Sequence, residues 1–267
     1  MNTKIYVCPK CKGKLEEQTD ALFCDKCQRN YPIENNIPDF LLVEPKDSDN
    51  PFLRDWAVNL GARVARIYET HFYVSTVLKL GAGWRAISAK EILDYVGRKI
   101  SPIQGKVLDI ATGPGSHGRR VASTSRVVYG IDVSLDMMRM GQKHVERESV
   151  NGMNFARADA RVLPFSDNLF DSCIACGCLH LFPDTLGTLK EISRTLKPGA
   201  PLIGLTFVSG ETGMLRFERM RNFARRKNIA IVFELPVLQE YLEKAGFENF
   251  EPVQRGSALL FTARKEI

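Results

Sequence analysis

The feature that most constrains the fold is a regular alternation of apolar and amphipathic runs from Gly105 to Val208. The apolar runs have the composition of strands, and they are KVLDIA, RVVYGIDV, MNFARAD, FDSCIACG and APLIGLTFV. The runs between them have helical composition, as in GSHGRRVAS, SLDMMRMGQKHVER and DTLGTLKEISRTLK. This alternation predicts an α/β fold in which helices cover both faces of a parallel sheet.

The last part of the chain departs from this alternation. A helical run, LPVLQEYLEKAGF, is followed by two strand-like runs, NFEPVQR and ALLFTARK, with only a short turn between them. Two such runs at close spacing predict an antiparallel hairpin. We therefore expect the parallel sheet to end in a hairpin rather than in a second set of parallel strands.

A glycine-rich loop follows the first predicted strand. The run VLDIATGPGSHG carries Gly113, Gly115 and Gly118 in the spacing G-x-G-x-x-G, which is typical of dinucleotide-binding loops. In a parallel sheet the ligand binds at the carboxyl ends of the strands. Acidic residues end or follow the first three strands, namely Asp109, Asp132 and Asp159. The glycines and Asp132 suit a dinucleotide or another adenosine ligand equally.

Three features favour S-adenosylmethionine over a dinucleotide. A carboxylate at Asp109, just before the glycines, would repel a pyrophosphate but suits an ammonium group. Asp159 and Ala160 precede the run RVLPF, where an acid can accept a hydrogen bond from an adenine amino group. The predicted hairpin also replaces the second mononucleotide-binding half that a dinucleotide requires.

The ordered motifs resemble those of class I S-adenosylmethionine-dependent methyltransferases, from Gly105 to Lys265. The motifs that carry the resemblance are LDIATGPGSHG, GIDVSLDMM, ADARVLPFSDNLFD, CLHLFPD and LKEISRTLKPGAPLIG. The resemblance implies a Rossmann-like sheet with a C-terminal antiparallel hairpin. It is strongest to enzymes that act on small molecules, including quinone-type methylases. It implies S-adenosylmethionine as the cofactor.

The resemblance also implies which residues contact the cofactor. Asp109 would orient the ammonium group, directly or through water, and Asp132 would hold the ribose hydroxyls. Met137 would pack on the adenine, whose edge Asp159 and Ala160 would read. The full predicted set is Asp109, Ala111, Gly113, Gly115, Asp132, Val133, Met137, Asp159, Ala160, Cys176 and Gly177. Ala111 stands where many members of the family have glycine.

His180 follows the fourth predicted strand and is the candidate general base. An imidazole with an ordinary pKa near 6.5 suits proton transfer from a phenol, enol or amine. The alternative is that His180 supports the site from behind or caps a helix. The nearby Cys173, Cys176 and Cys178 are predicted to pack in the core, because residues 173 and 176 of a strand point to opposite faces. That geometry disfavours a second metal site.

A second cysteine group lies near the start of the chain. Two Cys-x2-Cys pairs are separated by 12 residues and contain Cys8, Cys11, Cys24 and Cys27. Two such pairs can close a tetrahedral shell around Zn²⁺ with no open position, which predicts a structural site. Free thiols or a redox pair are the alternative. The segment from residue 5 to residue 42 resembles the zinc ribbon of some methyltransferases and of their small activator partners.

Composition adds limits to this interpretation. The chain has 267 residues with a net charge of +6, and none of its apolar runs reaches the roughly 18 residues of a membrane span. We expect no membrane span and a cytoplasmic location, and the oligomeric state stays open. The predicted division is a zinc ribbon over 1–45, a linker and helical lid over 46–104, and the cofactor-binding domain over 105–267. The lid is rich in aromatic residues: Phe52, Trp56, Tyr68, Phe72, Tyr73 and Trp84.

The partner is predicted to be a small-molecule substrate, and RNA is the alternative. The segment Arg216–Lys227 carries five arginines and a lysine against one glutamate. Such a segment suits a phosphate backbone, but it also suits a solvated helix face. With the zinc ribbon, it supports an RNA methyltransferase as the second interpretation. A non-catalytic binding protein with the same fold is the third.

Overall fold

The computed structural model describes residues 3–44, 71–83, 86–227 and 230–267. Part of the predicted linker and lid lies outside these ranges, including four of its six aromatic residues, Phe52, Trp56, Tyr68 and Trp84. Phe72 and Tyr73 belong to a described helix, but their side chains are outside the description. The interpretation of these aromatic residues as a lid, and the predicted division of the chain into three parts, stay predictions.

The N-terminal segment forms a small antiparallel sheet. Its four strands pair in the order β1-β2-β3-β4. Their bounds are Glu16–Gln18 (β1), Ala21–Cys24 (β2), Arg29–Glu34 (β3) and Ile37–Pro38 (β4). Asn35 and Asn36 both have positive φ in the tight turn between β3 and β4, a conformation that asparagine tolerates. This segment is called the ribbon below and comprises residues 3–44.

The main sheet has the predicted α/β organisation. Its seven strands run in the order β10-β11-β9-β8-β5-β6-β7. The strands β5 to β9 pair in parallel, and β11 pairs antiparallel with both β9 and β10. The bounds are Gly105–Ile110 (β5), Arg126–Asp132 (β6), Met153–Arg157 (β7), Ser172–Cys176 (β8), Pro201–Phe207 (β9), Phe247–Arg255 (β10) and Ala258–Lys265 (β11). Each predicted strand and the hairpin are confirmed.

Seven α-helices lie in the part of the chain that the structure describes. They are His71–Ala82 (α1), Ala89–Ile100 (α2), Ser116–Val121 (α3), Leu135–Arg147 (α4), Thr185–Thr195 (α5), Glu218–Arg226 (α6) and Leu235–Lys244 (α7). Local sequence fixes several of their starts. Ser88 and Glu91 form a capping box at α2, and the side chains of Ser134 and Asp184 cap α4 and α5.

The ribbon and the main sheet share one hydrophobic core. Tyr6 and Phe40 of the ribbon are buried in the same cluster as Tyr129 and Phe165. The ring centroids of Tyr6 and Phe165 lie 5.5 Å apart. The ribbon is therefore packed into the protein and is not a separate appendage.

Cys173 and Cys176 of β8, and Cys178 just after it, pack in the core, as the sequence predicts. Cys173 and Cys178 are buried in the cluster that includes the ribbon, whereas Cys176 packs against the cluster on the other face of the sheet. Among the described residues, only the four ribbon cysteines are grouped so that they could hold a metal ion. The alternation of faces along the strand separates the β8 thiols.

Candidate functional site

A cavity lies at the carboxyl ends of the central parallel strands. It is lined by eight of the residues predicted to contact a cofactor: Ala111, Gly113, Asp132, Val133, Met137, Asp159, Ala160 and Gly177. Loops after β5, β6, β7 and β8 contribute these residues, so the sheet brings together positions that are far apart in sequence. The placement supports one ligand site at this edge of the sheet, and each individual cofactor contact stays a prediction.

Three predicted residues do not line the cavity. Asp109 and Gly115 are buried, and Cys176 packs against the core cluster on the opposite face of the sheet. Sequence reasoning also missed part of the wall, namely Ile131, Ala158, Arg161, Cys178, Leu181, Phe182 and Pro183. Four of these missed residues belong to the motif CLHLFPD. The position of this motif directly after the fourth predicted strand could have indicated that it lines the cavity.

The glycine-rich loop has a backbone that demands small residues. Gly113 and Gly115 have φ of 53° and 83°, which glycine adopts at little cost. Ala111 has a φ of 50°, which is also left-handed. Glycine, which many members of the family have at this position, adopts that conformation more easily than alanine. The backbone N–H of Gly113 donates to Oδ2 of Asp132 at 2.8 Å, which ties the loop to the end of β6.

Asp109 lies beneath the loop rather than on the cavity wall. Its Oδ2 accepts hydrogen bonds from Thr112 Oγ1 at 2.6 Å and from the Gly118 N–H at 3.1 Å. A Cβ added to Gly118 would lie 2.9 Å from this oxygen, so a larger residue there would displace the carboxylate. Burial raises the pKa of Asp109 to about 7. The carboxyl holds the loop, and its predicted effect on a ligand ammonium stays a prediction.

Asp132 lies on the cavity wall at the end of β6. Its Oδ1 accepts from the Ser134 N–H at 2.9 Å, while Oδ2 accepts from the Gly113 N–H. Burial raises the pKa of this carboxyl above its usual range, and the backbone hydrogen bonds oppose that rise. A carboxylate fixed by two backbone donors presents its remaining lone pairs in one direction, which suits a pair of ribose hydroxyls.

Asp159 and Arg161 form a pair at the cavity edge. Arg161 Nε lies 3.0 and 2.9 Å from the two carboxylate oxygens of Asp159. Among the described residues that line the cavity, Arg161 is the basic one, and Asp159 balances its charge. The arginine is therefore not free to bind a phosphate. This agrees with S-adenosylmethionine, a ligand that has no phosphate.

His180 is buried next to the cavity but does not line it. Its Nδ1 lies 3.4 Å from Thr206 Oγ1, and its ring meets that of Phe207 edge-on with centroids 4.8 Å apart. Burial lowers the pKa of His180 to about 4. The imidazole is therefore neutral at neutral pH and a weaker base than an exposed histidine. Its neighbours Cys178 and Leu181 line the cavity.

The ribbon cysteines form a compact sulfur cluster. The four Sγ atoms of Cys8, Cys11, Cys24 and Cys27 lie within 4.8 Å of one another. Cys8 Sγ is 3.8 Å from Cys27 Sγ, and Cys11 Sγ is 3.6 Å from Cys24 Sγ. A tetrahedral zinc ion with Zn–S bonds of about 2.3 Å requires sulfurs about 3.8 Å apart. The two distances given are close to this value, and the four sulfurs are near enough to one another to hold one metal ion.

Comparison with known families supports the description of the main domain and that of the ribbon. Residues 107–199 match the family model of the methyltransferase domain, and residues 3–36 match that of Trm112p-like proteins. With the strand order and the five ordered motifs, these matches support a class I S-adenosylmethionine-dependent methyltransferase domain. A Trm112-like module lies on its N-terminal side.

Individual relatives have modest identity. The ubiquinone/menaquinone biosynthesis C-methyltransferase UbiE of Geotalea daltonii is 32% identical over 55% of this chain and 64% of its own length. The chain thus spans just under two thirds of that relative. An uncharacterized chloroplastic methyltransferase of Arabidopsis thaliana is 27% identical over 98% of this chain and 78% of its own length. The second match includes the ribbon as well as the methyltransferase domain.

A solved structure has the same fold. It is a chain from the complex between the Trm112 methyltransferase activator of Haloferax volcanii and a methyltransferase, with a TM-score of 0.58 and 18% identity. The match covers 82% of this chain and 98% of that chain, and at this identity it shows the fold alone. In the described part of this chain, the helices lack the length and apolar character needed to cross a membrane.

Proposed function

We propose that the protein transfers a methyl group from S-adenosylmethionine to a small acceptor that is partly apolar or aromatic. The observation that carries the proposal is the composition of the cavity. Fixed carboxylates lie on the cofactor side, whereas Cys178, Leu181, Phe182 and Pro183 form an apolar wall after β8. The likeness to a quinone C-methyltransferase agrees with an acceptor of this kind.

In this proposal, the main role of the chain's residues is to bind the cofactor and orient the methyl acceptor, rather than to transfer protons. When bound, S-adenosylmethionine supplies a methyl group that its sulfonium has already activated. Asp132 would hold the ribose, Met137 would pack on the adenine, and the Gly113 backbone would approach the methionine portion. The apolar wall would exclude water and align the acceptor, which supplies much of the catalysis that such a transfer needs.

His180 stays a candidate base within this proposal. Burial lowers the pKa of His180 to about 4, so the neutral imidazole is a weak base. It can take a proton only from a substrate that becomes strongly acidic as it is methylated. An acceptor that is already ionised would need no base at all. A phenolate or enolate acceptor therefore agrees best with this environment.

The ribbon cysteines are proposed to hold one structural Zn²⁺. The support is the fit of the four sulfurs to a closed tetrahedral shell, together with the Trm112p-like match. A closed shell leaves no position for a substrate, so the ion would stabilise the ribbon and take no part in the methyl transfer.

RNA is the second candidate acceptor, because α6 exposes a basic surface. Arg216, Arg219, Arg225, Arg226 and Lys227 are exposed, and Phe217 and Phe223 lie exposed among them. Exposed aromatic rings beside arginines can stack on unpaired bases. RNA binding that weakens steeply with salt and is lost in the Arg225→Gln, Arg226→Gln double variant would favour this candidate over the first.

The first test of the proposal is cofactor binding. We expect Asp132→Ala to raise the Kd for S-adenosylmethionine at least tenfold, measured by calorimetry, because two ribose hydrogen bonds to a charged acceptor are lost. Asp136→Asn is the matched control, since Asp136 lies on α4 and is exposed. Equal Kd values for Asp132→Ala and the native protein would contradict the site.

The second test compares acceptors directly. Methyl transfer from labelled S-adenosylmethionine would be measured onto small phenols and quinols and, separately, onto purified tRNA and rRNA. We expect label in the small-molecule fraction. Label in RNA alone would move the assignment to the second candidate, and cofactor binding without transfer to any acceptor would favour a binding protein.

A further inference from the structure

The ribbon holds both ends of the segment that is predicted to bind adenine. We define the adenine segment as residues 158–162, which include the cavity-lining Asp159 and Ala160. It lies between the end of β7 at Arg157 and the run 163–165. Contacts from the ribbon reach the chain immediately before this segment and immediately after it.

The first attachment is at Arg157. The ribbon adds an extended residue beside β7, because the Phe40 N–H donates to the carbonyl of Arg157 at 2.7 Å. The Arg157 side chain turns back to the ribbon, where Nη1 lies 2.7 Å from Asp39 Oδ2 and Nη2 lies 3.0 Å from Glu44 Oε2. An arginine that donates to two carboxylates has its planar group fixed in orientation.

The same guanidinium group reaches the cavity wall. Its Nε donates to the carbonyl of Val133 at 2.9 Å. Val133 lines the cavity directly after Asp132, the predicted ribose acid. The side chain is only 14% exposed, so water competes little for these donors. One side chain therefore connects two ribbon carboxylates to the loop that carries Asp132.

The second attachment is after the adenine segment. The Val7 N–H donates to the carbonyl of Pro164 at 3.0 Å, and Lys12 Nζ donates to the carbonyl of Leu163 at 2.9 Å. Lys12 also pairs at 2.8 Å with Glu191, whose Oε1 accepts from the Leu163 N–H. Lys12 and Glu191 together bind both backbone groups of the residue that follows the segment.

We propose that the ribbon is a positioning device for the cofactor site, with Arg157 as the positioning residue that transmits the ribbon's geometry to the adenine and ribose loops. The proposal rests on the proposed cofactor site. It assigns the zinc ion an indirect role: the metal sets the shape of the ribbon, and the ribbon sets the spacing of Val133 and the adenine segment. Loss of zinc then weakens binding of the nucleoside part of the cofactor.

The test compares two ion pairs that both join the ribbon to the main domain. Asp39→Asn with Glu44→Gln removes the carboxylates that hold Arg157, whereas Glu34→Gln removes the partner of Arg139 on α4. Calorimetry would measure the Kd for S-adenosylmethionine and for methylthioadenosine, which lacks the amino-acid portion. We expect Asp39→Asn/Glu44→Gln and Arg157→Met to raise both Kd values about tenfold, and Glu34→Gln to change them less than twofold.

Hydrogen exchange without cofactor gives an independent measurement. Removing zinc from the native protein should raise exchange in residues 158–162, and in Arg157→Met the same treatment should raise it less, because only the second attachment is then left to lose. Unchanged exchange in that segment after zinc removal would overturn the proposal. So would Glu34→Gln and Arg157→Met having equal effects on methylthioadenosine binding. If the native zinc-loaded protein binds neither ligand, the proposed function fails, whereas the exchange result still decides whether the ribbon orders the segment.

Discussion

Asp109 and Asp132 end neighbouring strands, yet their carboxylates have different surroundings. Asp109 is 2% exposed and binds groups of its own loop, whereas Asp132 lies on the cavity wall. Sequence position alone predicts both acids at the same edge of the sheet. The difference in exposure determines which of them can touch a ligand and which acts through the loop.

The raised pKa of Asp109 predicts a pH dependence. Its folded pKa of about 7 lies above the ordinary carboxyl value, so its contribution to stability is complete at acid pH and is lost as pH rises through 7. A ligand ammonium nearby would favour the carboxylate and release the proton. We therefore expect the affinity for S-adenosylmethionine to rise by roughly tenfold between pH 6 and pH 8.

Asp109→Asn is the control for that measurement. The variant keeps an acceptor beside Thr112 and removes the titrating group. Calorimetry across the same pH range should then report only the titration of the ligand's own amine. A native protein whose pH profile is identical to that of Asp109→Asn would show that Asp109 does not sense the ligand.

At the scale of the element, α5 is fixed by a side chain next to the cavity. Asp184 directly follows the cavity-lining Pro183, and its Oδ1 accepts from the Gly187 N–H at 2.8 Å. This cap satisfies one of the backbone donors that a helix start leaves free. The end of the cavity wall and the start of α5 are therefore the same short segment.

We expect Asp184→Ala to lower the free energy of unfolding by about 1 kcal/mol, because the capping acceptor is lost. Urea denaturation measures the change. Glu240→Ala is the comparison, since Glu240 is an exposed helical acid that pairs with Lys244 four residues on, and water screens such a pair so that it should contribute less than the cap. Equal losses in the two variants would argue against the cap.

At the scale of the whole molecule, the shared core couples the metal site to the main domain. Tyr6 connects the ribbon to Phe165 and Tyr129 through ring contacts, and Phe40 packs on the Tyr6 ring from within the ribbon. Loss of the ribbon's shape would expose these rings and their partners together. The two parts are expected to unfold as one cooperative unit.

Zinc removal tests that coupling. We expect one zinc per chain by metal analysis, and we expect chelation to lower the Tm of the entire protein in a single transition. A closed four-cysteine site contributes directly to the free energy of folding. Because the ribbon and the main sheet share one core, removing zinc should destabilise both. A chelated protein whose main transition stays at the native Tm would show that the ribbon folds separately.

The sequence by itself was sufficient for the elements and their order. Apolar periodicity predicts every strand from β5 to β11, and the spacing of Cys8, Cys11, Cys24 and Cys27 predicts the sulfur cluster. These features are local, because a strand or a cysteine pair needs only residues that lie close in the chain. The glycine loop and Asp132 could be placed at one edge because parallel strands end together.

Only the tertiary structure decided the surroundings of individual side chains. His180 is predicted as the general base because it follows the fourth strand, but it packs against Phe207 in the interior, where burial lowers its pKa to about 4. The link from Asp39 through Arg157 to Val133 likewise has no local signature. Its partners are separated in the sequence by 118 and 24 positions. Such contacts depend on how the ribbon docks on the sheet, which is a property of the packed core and not of any one segment.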